Sequence, residues 1–485
     1  MKLISPAILL FWPLGCMLAL ALGLTADGWW QVPLFLGGGA GLFWIWRRFP
    51  WSDNWSRYLS FGAVVLIAGS VNRLLYIADI LLGTADADWP FFSSSAELAI
   101  FKGEVVTVLG TLLTVTAWVI AGGARYSPDA ILEVPRRDSR RLLSVVYLCS
   151  VGALATEHWF PGMANAFGQL LYTLLGLGIA TTFFLPIVVM QSGPTRVCLA
   201  AMLSAPFVYF SLGTGMKEDI ILALMPVAYM TWTASRKVMF RTAVVGVSAV
   251  VISLVTVYVT QYREDVWQSG NQISSTQAVT RFAESTDSYG GLATVMEGLK
   301  AFLHRSNASV ERGWAISLAD EHGHEPRLVF APLAYVFIPR ALWPDKPVIR
   351  QGWEYSGLVF GDAFIAWSGS STAAGLYPAC YLGFGWTGVI VSAVSIGLMM
   401  AGLLKLASRV GGGPLVALFA MTMVPYALRL DENWTVGALS APIISFAYLV
   451  AILFVSKALS GVLTGPGPTF RPAAERPRVQ SAPVA

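Results

Sequence analysis

Two basic side chains flank a tryptophan in the sequence IPRALWPDKP, with Arg340 before Trp343 and Lys346 after it. Cations beside an indole ring can hold a phosphate, because hydrogen bonds from charged donors to phosphate are about twice as strong as neutral ones. The apolar residues 328–339 that precede Arg340 are too few to cross a bilayer core, which takes about 20 residues. We therefore expect a helix that lies in the membrane interface. The alternative is that segment 327–346 is only an anchor of cations and aromatic rings.

Other side chains suited to anion binding and proton transfer lie nearby in the sequence. The anion-binding candidates are Arg340 and Arg263, followed by Arg312, Arg281, Lys346 and Lys217. The candidate proton acceptor is His304, because histidine titrates near neutral pH. Glu264 and Asp265, beside Arg263, are the competing choice. His304 can also serve only its own helix, by lying near the negative end of the helix dipole.

The sequence offers little for metal, nucleotide or serine-hydrolase chemistry. His322 and His324 alternate around a glycine but lack a third ligand at a set spacing. Asp86 and Asp88 resemble paired carboxylates that hold a divalent ion, but such a triplet arises easily by chance. The letters GFGWTG at 383–388 match a dinucleotide fingerprint, yet no strand precedes them, so they indicate helix packing. With no Walker motif or Gly-x-Ser-x-Gly elbow, we expect no metal and no cofactor.

The composition excludes an ordinary soluble domain. Of the 485 residues, 55% are hydrophobic and 12% are charged, and the mean hydropathy is +0.63. A soluble domain has about 25% charged residues. The four cysteines lie in or beside apolar runs and form neither a disulfide framework nor a metal spacing. The first 25 residues are interpreted as a membrane span rather than a cleaved signal peptide, because no clean cleavage site follows them.

Apolar runs of spanning length recur along the chain and predict an all-α, polytopic transmembrane helical bundle of about 12 spans. They lie at about residues 4–25, 29–46, 58–82, 101–123, 142–160, 166–190, 197–214, 219–235, 242–261, 377–404, 413–430 and 436–457. Connections on one side carry most of the Lys and Arg, as at Arg140 and Arg141, whereas the other side carries residues such as Glu97 and Asp431. By the positive-inside rule, the basic connections and both termini are cytoplasmic.

The predicted topology divides the chain into spans 1–9 at residues 1–261, an outward loop at 262–376, spans 10–12 at 377–460, and a disordered cytoplasmic tail at 461–485. The outward loop is long enough for a folded subdomain. Apolar residues recur at helical spacing over 292–303 and predict an amphipathic helix that covers the bundle mouth. Asp219 is expected to be a helix N-cap. No internal repeat is visible, which argues against a transporter.

The layout resembles the oligosaccharide repeat-unit polymerases of bacterial envelopes, the Wzy-type O-antigen polymerase family. The resemblance rests on the span count, the late outward loop, IPRALWPDKP and the downstream GLYPACYLGFGWTGVIV, and it covers roughly residues 200–405. Some members of the family carry an Arg followed eleven positions later by a Gly, in two separate outward loops. Arg312 with Gly323 and Arg350 with Gly361 have that spacing, but both pairs lie in one loop.

The resemblance implies a glycosyltransferase of the bacterial inner membrane that acts on its outer side. Its substrate would be undecaprenyl-diphosphate-linked oligosaccharide, polymerised into O-antigen, capsule or exopolysaccharide, within membrane lipid and without nucleic acid. A chain-length regulator and a flippase would be its protein partners. The related O-antigen ligase shares the layout and stays an alternative, as does a lipid-linked oligosaccharide flippase or transporter from another class. Such a transporter also needs cations and a cavity, but not a long outer loop.

Overall fold

The computed structural model describes twelve α-helices, numbered here in chain order. The described residues are 94–126, 136–159, 161–190, 193–212, 217–235, 237–269, 291–306, 309–338, 342–361, 373–430 and 434–460, with isolated positions at 61–69, 277, 280 and 283. The helices are α1 (Ser94–Ile120), α2 (Arg136–Trp159), α3 (Pro161–Val189), α4 (Gly193–Leu212), α5 (Lys217–Ala234), α6 (Val238–Ser269), α7 (Gly291–Ser306), α8 (Ser309–His322), α9 (Pro326–Phe330), α10 (Gln351–Phe360), α11 (Leu376–Leu428) and α12 (Thr435–Ser460). Within these ranges no β-strand occurs.

Five of the described helices are long and apolar enough to cross a membrane. Their spanning parts are Leu98–Ile120, Gly193–Leu212, Val238–Arg263, Leu376–Leu428 and Thr435–Phe454. The all-helical class and several membrane-crossing helices therefore agree with the sequence-based prediction, while the count of twelve stays a prediction. The spans expected at 4–25 and 29–46, and the tail from 461, lie outside the described residues.

Helix α11 contains two breaks in its backbone. Gly412 adopts φ 65° and ψ −151°, and Phe384 and Gly385 also leave helical geometry. Only glycine adopts such a positive φ with an extended ψ at little cost. The break at Gly412 lies between the two spans expected at 377–404 and 413–430, which explains how one apolar run of 53 residues holds both.

Close approach of backbones fixes α1 against α11. A Cβ at Gly110 would lie 2.2 Å from the Tyr377 ring, and one at Gly397 would lie 2.3 Å from the Thr114 carbonyl oxygen. Small residues at these positions let the helices touch, which is how helices associate within a membrane. The Thr114 hydroxyl also lies 2.8 Å from the Tyr377 hydroxyl, so a buried hydrogen bond crosses the contact.

The segment between α6 and α11 differs in part from the predicted arrangement. Helix α7 forms where the amphipathic pattern predicts it, and packs along α6, where a Cβ at Gly298 would lie 2.2 Å from the Ser253 carbonyl oxygen. The expected interfacial helix is interrupted: α9 has five residues and gives way to a 3-10 turn at Ala331–Ala334. Pro332 lacks a backbone donor and disfavours helical geometry before it, which accounts for the change.

Asp219 does not cap its helix as expected. Helix α5 begins at Lys217, so Asp219 lies in its first turn, with its side chain mostly buried. Its carboxylate accepts a hydrogen bond of 3.0 Å from the guanidinium of Arg429, at the end of α11. A partly buried carboxylate is stabilised more by a neighbouring cation than by its own helix terminus, and this ion pair ties α5 to α11.

Candidate functional site

Helix α8 is wedged against the first half of α1. A Cβ at Gly103 would lie 3.1 Å from the backbone of Arg312, and one at Gly313 would lie 2.6 Å from the Ile100 side chain. These glycines bring the two helices close enough for the Arg312 guanidinium to donate to the Glu104 carboxylate at 2.5 Å. The two side chains are 5% and 1% exposed. Arg312 therefore neutralises a buried carboxylate within the protein.

The residue before Arg312 carries a second buried carboxyl group. The Glu311 Oε2 atom is buried and makes no hydrogen bond to the part of the chain that the structure describes. Burial raises the pKa of the Glu311 carboxyl, although its own backbone N–H and the adjacent Arg312 counteract this in part. A carboxyl whose pKa is raised toward neutral pH suits general acid-base chemistry.

Tyr355, on α10, contacts both Glu311 and Trp434. The fully buried Tyr355 hydroxyl donates a hydrogen bond of 2.6 Å to the Glu311 carbonyl oxygen. Burial, together with the nearby Glu311 carboxyl, raises the pKa of Tyr355 well above its ordinary value, so the phenol stays protonated. The Tyr355 ring lies edge-on to the Trp434 ring, with 5.6 Å between centroids.

A cavity of about 560 Å³ opens beside Tyr355 and Trp434. It is lined by Val348, Ile349, Arg350, Gln351, Gly352, Trp353, Ala373 and Trp434. The volume lies in the range of small-molecule sites, about 300 to 1,000 Å³. Its polar contribution comes from the first turn of α10, whereas Trp434 comes from the start of α12, so the cavity lies where the 309–361 segment meets the bundle.

The cation at this cavity is Arg350, directly before α10. Its guanidinium lies 5.9 Å from the centre of the Trp353 ring, and Trp353 is 42% exposed. Next to it, the buried Gln351 amide donates to the carbonyl oxygens of Leu328 and Val329 at 2.7 and 3.0 Å. Since Gln351 fixes the start of α10 to α9, Arg350 and Trp353 project from an anchored helix turn.

A second polar cluster joins α1, α8 and α11. The Lys102 ammonium lies 2.6 Å from the Asp320 carboxylate, which also accepts a 2.9 Å hydrogen bond from the Tyr381 hydroxyl. His324 packs edge-on to the Tyr381 ring at 6.2 Å, beside the break at Gly385. The cation is thus matched by a carboxylate, which leaves this cluster less suited to an anionic ligand than the cavity.

Both of the predicted anion-binding lysines contact protein groups. The buried Lys346 ammonium donates to the carbonyl oxygens of Val336 and Ile338, at 3.1 and 2.8 Å, and closes the turn between α9 and α10. The Lys217 ammonium lies 5.5 Å from the centre of the Phe302 ring and connects α5 to α7. Both contacts give these cations structural roles.

The remaining predicted site residues are placed only in part. Arg263 is half-buried near the end of α6. Glu264 and Asp265 follow it on the same helix and His304 lies on α7, with side chains outside the described part of the chain. Arg281 and Arg340 lie wholly outside it. Among the described residues, no three His, Cys, Asp or Glu side chains come together as metal ligands.

The spacing of Arg and Gly seen in the sequence has a structural explanation. Gly323 and Gly361 directly follow α8 and α10 and have φ values of 95° and 83°. A glycine with positive φ commonly ends a helix. The Arg–Gly spacing therefore reflects helix length, although one of the two pairs includes Arg350, the cation of the cavity.

Sequence reasoning missed Glu311, Trp353 and Trp434. Aromatic and acidic residues in an apolar chain have no characteristic spacing that distinguishes residues lining a cavity from residues packed in the core.

Comparison with known proteins gives one family. Residues 84–422 match the family described as a domain of unknown function, DUF8712. The match runs from before α1 to near the end of α11 and so includes the Glu104–Arg312 pair and α10, while Trp434 lies beyond it. Searches of curated proteins and of solved structures found no match. Because the matched region is more than half of the 485 residues, the chain belongs to the DUF8712 family.

Proposed function

We propose that this protein is a membrane glycosyltransferase that polymerises undecaprenyl-diphosphate-linked oligosaccharide repeat units. The observation that carries the proposal is the cavity at the start of α10, in which Arg350, Trp353 and Trp434 come together beside apolar membrane helices. Indole rings stack on sugar faces, and a guanidinium binds phosphate or carboxylate oxygens. Such a combination next to a bundle suits a substrate that is part lipid and part saccharide.

The proposed reaction transfers a growing glycan between two lipid carriers. A hydroxyl oxygen of the incoming unit attacks the anomeric carbon, the bond from that carbon to the diphosphate oxygen breaks, and the diphosphate leaves with the electron pair. The hydroxyl proton passes to a base. The negative charge on the leaving group grows as the bond breaks, so preorganised cations supply much of the catalysis. This chemistry requires neither a metal nor a nucleotide.

The residues proposed for these roles come from segment 263–350. Arg340 and Arg263 are proposed to contact the diphosphate. His304, Glu264 and Asp265 are proposed as proton acceptors, and Glu311 joins them because its carboxyl is buried in the same segment with a raised pKa. The orientation proposed for this chemistry places segment 262–376 on the outer side of the bacterial inner membrane and both termini in the cytoplasm. A flippase and a chain-length regulator are proposed as partners.

Reconstitution tests the proposal. The full-length protein in lipid vesicles receives lipid-linked repeat units extracted from the source membranes, and products are separated on a gel. A ladder of longer lipid-linked glycans is the expected result. Transfer to a lipid core without a ladder would identify a ligase instead, and translocation without new glycosidic bonds would identify a transporter. Either outcome would replace the proposed function.

Matched variants assign the roles within that assay. Arg340→Ala should abolish the ladder at unchanged protein level, whereas Arg327→Ala, an exposed arginine in the same segment, should not. His304→Gln should lower turnover about 10²-fold and remove an inflection in the pH profile. An unchanged profile would transfer the role of base to the carboxylates, and a full ladder from Arg340→Ala would contradict its role at the diphosphate.

A further inference from the structure

We infer that the cavity at the start of α10 binds a sugar ring that carries an anionic group, with the ring on Trp353 and the anion on Arg350. This inference rests on the proposed function for the identity of the whole substrate, but the binding itself can be measured separately. It names the chemical class of ligand, an anionic saccharide, at a site that sequence reasoning did not assign.

The aromatic walls favour a ring-shaped, partly apolar ligand. Trp353 has a large, exposed indole ring. It belongs to a helix turn that Gln351 anchors to α9. The buried ring of Tyr355 packs edge-on against the Trp434 ring, with 5.6 Å between the ring centroids and 72° between the ring planes. Neither wall needs much reordering when a ligand binds, which lowers the entropic cost of association. The C–H faces of a pyranose suit such flat, rigid surfaces, and the volume of about 560 Å³ leaves room for more than one ring.

The positive charge of Arg350 at the cavity favours an anionic ligand. Within the described residues Arg350 forms no ion pair, and its exposed guanidinium contacts the Trp353 ring instead. Nearby, Glu354 lies in the first turn of α10, and Asp345 precedes the site in the chain; neither forms a salt bridge with Arg350. A guanidinium has a planar set of donors that fits a carboxylate or a phosphate with two parallel hydrogen bonds. With respect to the described part of the chain, Arg350 is therefore available for an anion that lies next to a stacked ring.

The contrast with the other cationic sites strengthens this assignment. Arg312 is matched by Glu104, Lys102 by Asp320, and Arg429 by Asp219. Each of these cations lies opposite a carboxylate of the chain itself. Among the residues that the structure describes, Arg350 is the cation at a cavity wall that has aromatic rings rather than a carboxylate opposite it. Two sources can supply the ligand chemistry, namely the carboxylate of a uronic acid and the phosphate at the reducing end of a lipid-linked sugar.

Saturation-transfer NMR on the full-length protein in nanodiscs tests the inference, with glucuronate, glucose 1-phosphate and glucose as probes. At least one charged probe should bind about tenfold more tightly than glucose, because a charge-assisted hydrogen bond contributes that much. The preferred charged probe identifies the source of the anion. Equal binding of all three probes, or no binding by any, would overturn the inference.

Two pairs of variants locate the binding. Arg350→Gln should lower affinity for the charged probe to that for glucose and leave glucose unchanged, whereas the exposed control Arg327→Gln should change neither. Trp353→Leu should weaken all three probes, while Trp386→Leu, an exposed indole on α11, should weaken none. Trp353→Phe keeps a ring and should restore part of the binding, so that loss through misfolding is recognised. A preference for charge that survives in Arg350→Gln would contradict the assignment.

Failure of this inference and failure of the proposed function give different results. Charged sugars that bind at Arg350 without any ladder in reconstituted vesicles would retain the site and reject polymerisation. A ladder that persists in Arg350→Gln, together with absent sugar binding in the unmodified protein, would retain polymerisation and reject the site.

Discussion

The Arg312 guanidinium donates to the Glu104 carboxylate across the contact of α8 with α1, at 2.5 Å and with both side chains almost fully buried. Breaking such a pair leaves one charge buried without compensation, which costs about 3 to 5 kcal/mol. We expect Arg312→Met or Glu104→Gln alone to lower the melting temperature of the purified protein strongly. The double variant should recover much of the loss, since neither charge then remains.

The Lys102–Asp320 pair provides the matched control, because it joins the same two helices but is 28% and 42% exposed. Partly exposed pairs contribute about 0 to 1 kcal/mol, so Lys102→Met should change the melting temperature far less. If Arg312→Met melts like the unmodified protein but no longer binds a diphosphate ligand, the pair is not structural. The sequence-based assignment of Arg312 to the diphosphate would then hold.

The contacts of these cations show how much of the site could be predicted from the sequence. It marked Arg312, Lys346 and Lys217 as candidates for binding an anionic substrate, and in the structure each of them contacts a group within the chain. Whether a partner is a substrate or a neighbouring helix depends on which helices meet. The Gly103 and Gly313 contacts that bring Arg312 to Glu104 join residues about two hundred positions apart, and no local pattern reports them.

Glu311 should give the protein a pH-dependent stability. Its pKa in the folded state is raised above its ordinary value of 4.5, so the folded chain holds more protons than the unfolded chain between these two values. The free energy of unfolding therefore falls as pH rises from 4.5 through the folded pKa. Glu311→Gln removes the cost of a buried charge, and the variant should melt at a higher temperature than the unmodified protein at neutral pH.

Melting curves at about pH 4 and at neutral pH check this expectation. Near pH 4 the Glu311 carboxyl is mostly protonated in both states, so most of the advantage of Glu311→Gln should disappear there. The exposed carboxylate of Glu354, on the first turn of α10, provides the control through Glu354→Gln. An equal melting difference between Glu311→Gln and the unmodified protein at both pH values would contradict a Glu311 carboxyl whose pKa is raised by burial.

Gly412 tests the break that divides α11. A Cβ there meets no atom within 4 Å, so any effect of Gly412→Ala comes from the backbone, whose φ of 65° with ψ of −151° suits only glycine. We expect a loss of about 1 to 3 kcal/mol. Gly402→Ala is the matched control, since it lies on the same helix, also in open space, and without a positive φ. It should stabilise the protein by about 0.4 to 1 kcal/mol. Equal effects would mean that α11 continues through residue 412.

The helices themselves follow from the sequence more directly than the site does. Apolar runs longer than about 18 residues have few alternatives to a helix in a membrane, because every backbone group must be bonded internally. The sequence also placed α7 through its apolar periodicity. It did not foresee the interruption at Pro332 or the pairing of Asp219 with Arg429, because both depend on what packs beside those residues.

The orientation of the chain is the expectation on which the proposed outer-side chemistry depends. In a background without the four native cysteines, single cysteines can replace two exposed residues, Glu321 at the end of α8 and Lys237 before α6. The positive-inside rule assigns the connection with Lys237 to the cytoplasm and segment 262–376 to the outside. A membrane-impermeant maleimide should therefore label Glu321→Cys in intact cells and Lys237→Cys only after lysis. Labelling of both variants in intact cells, or of Lys237→Cys alone, would contradict the predicted topology. The proposed chemistry on the outer side would then lose its physical basis.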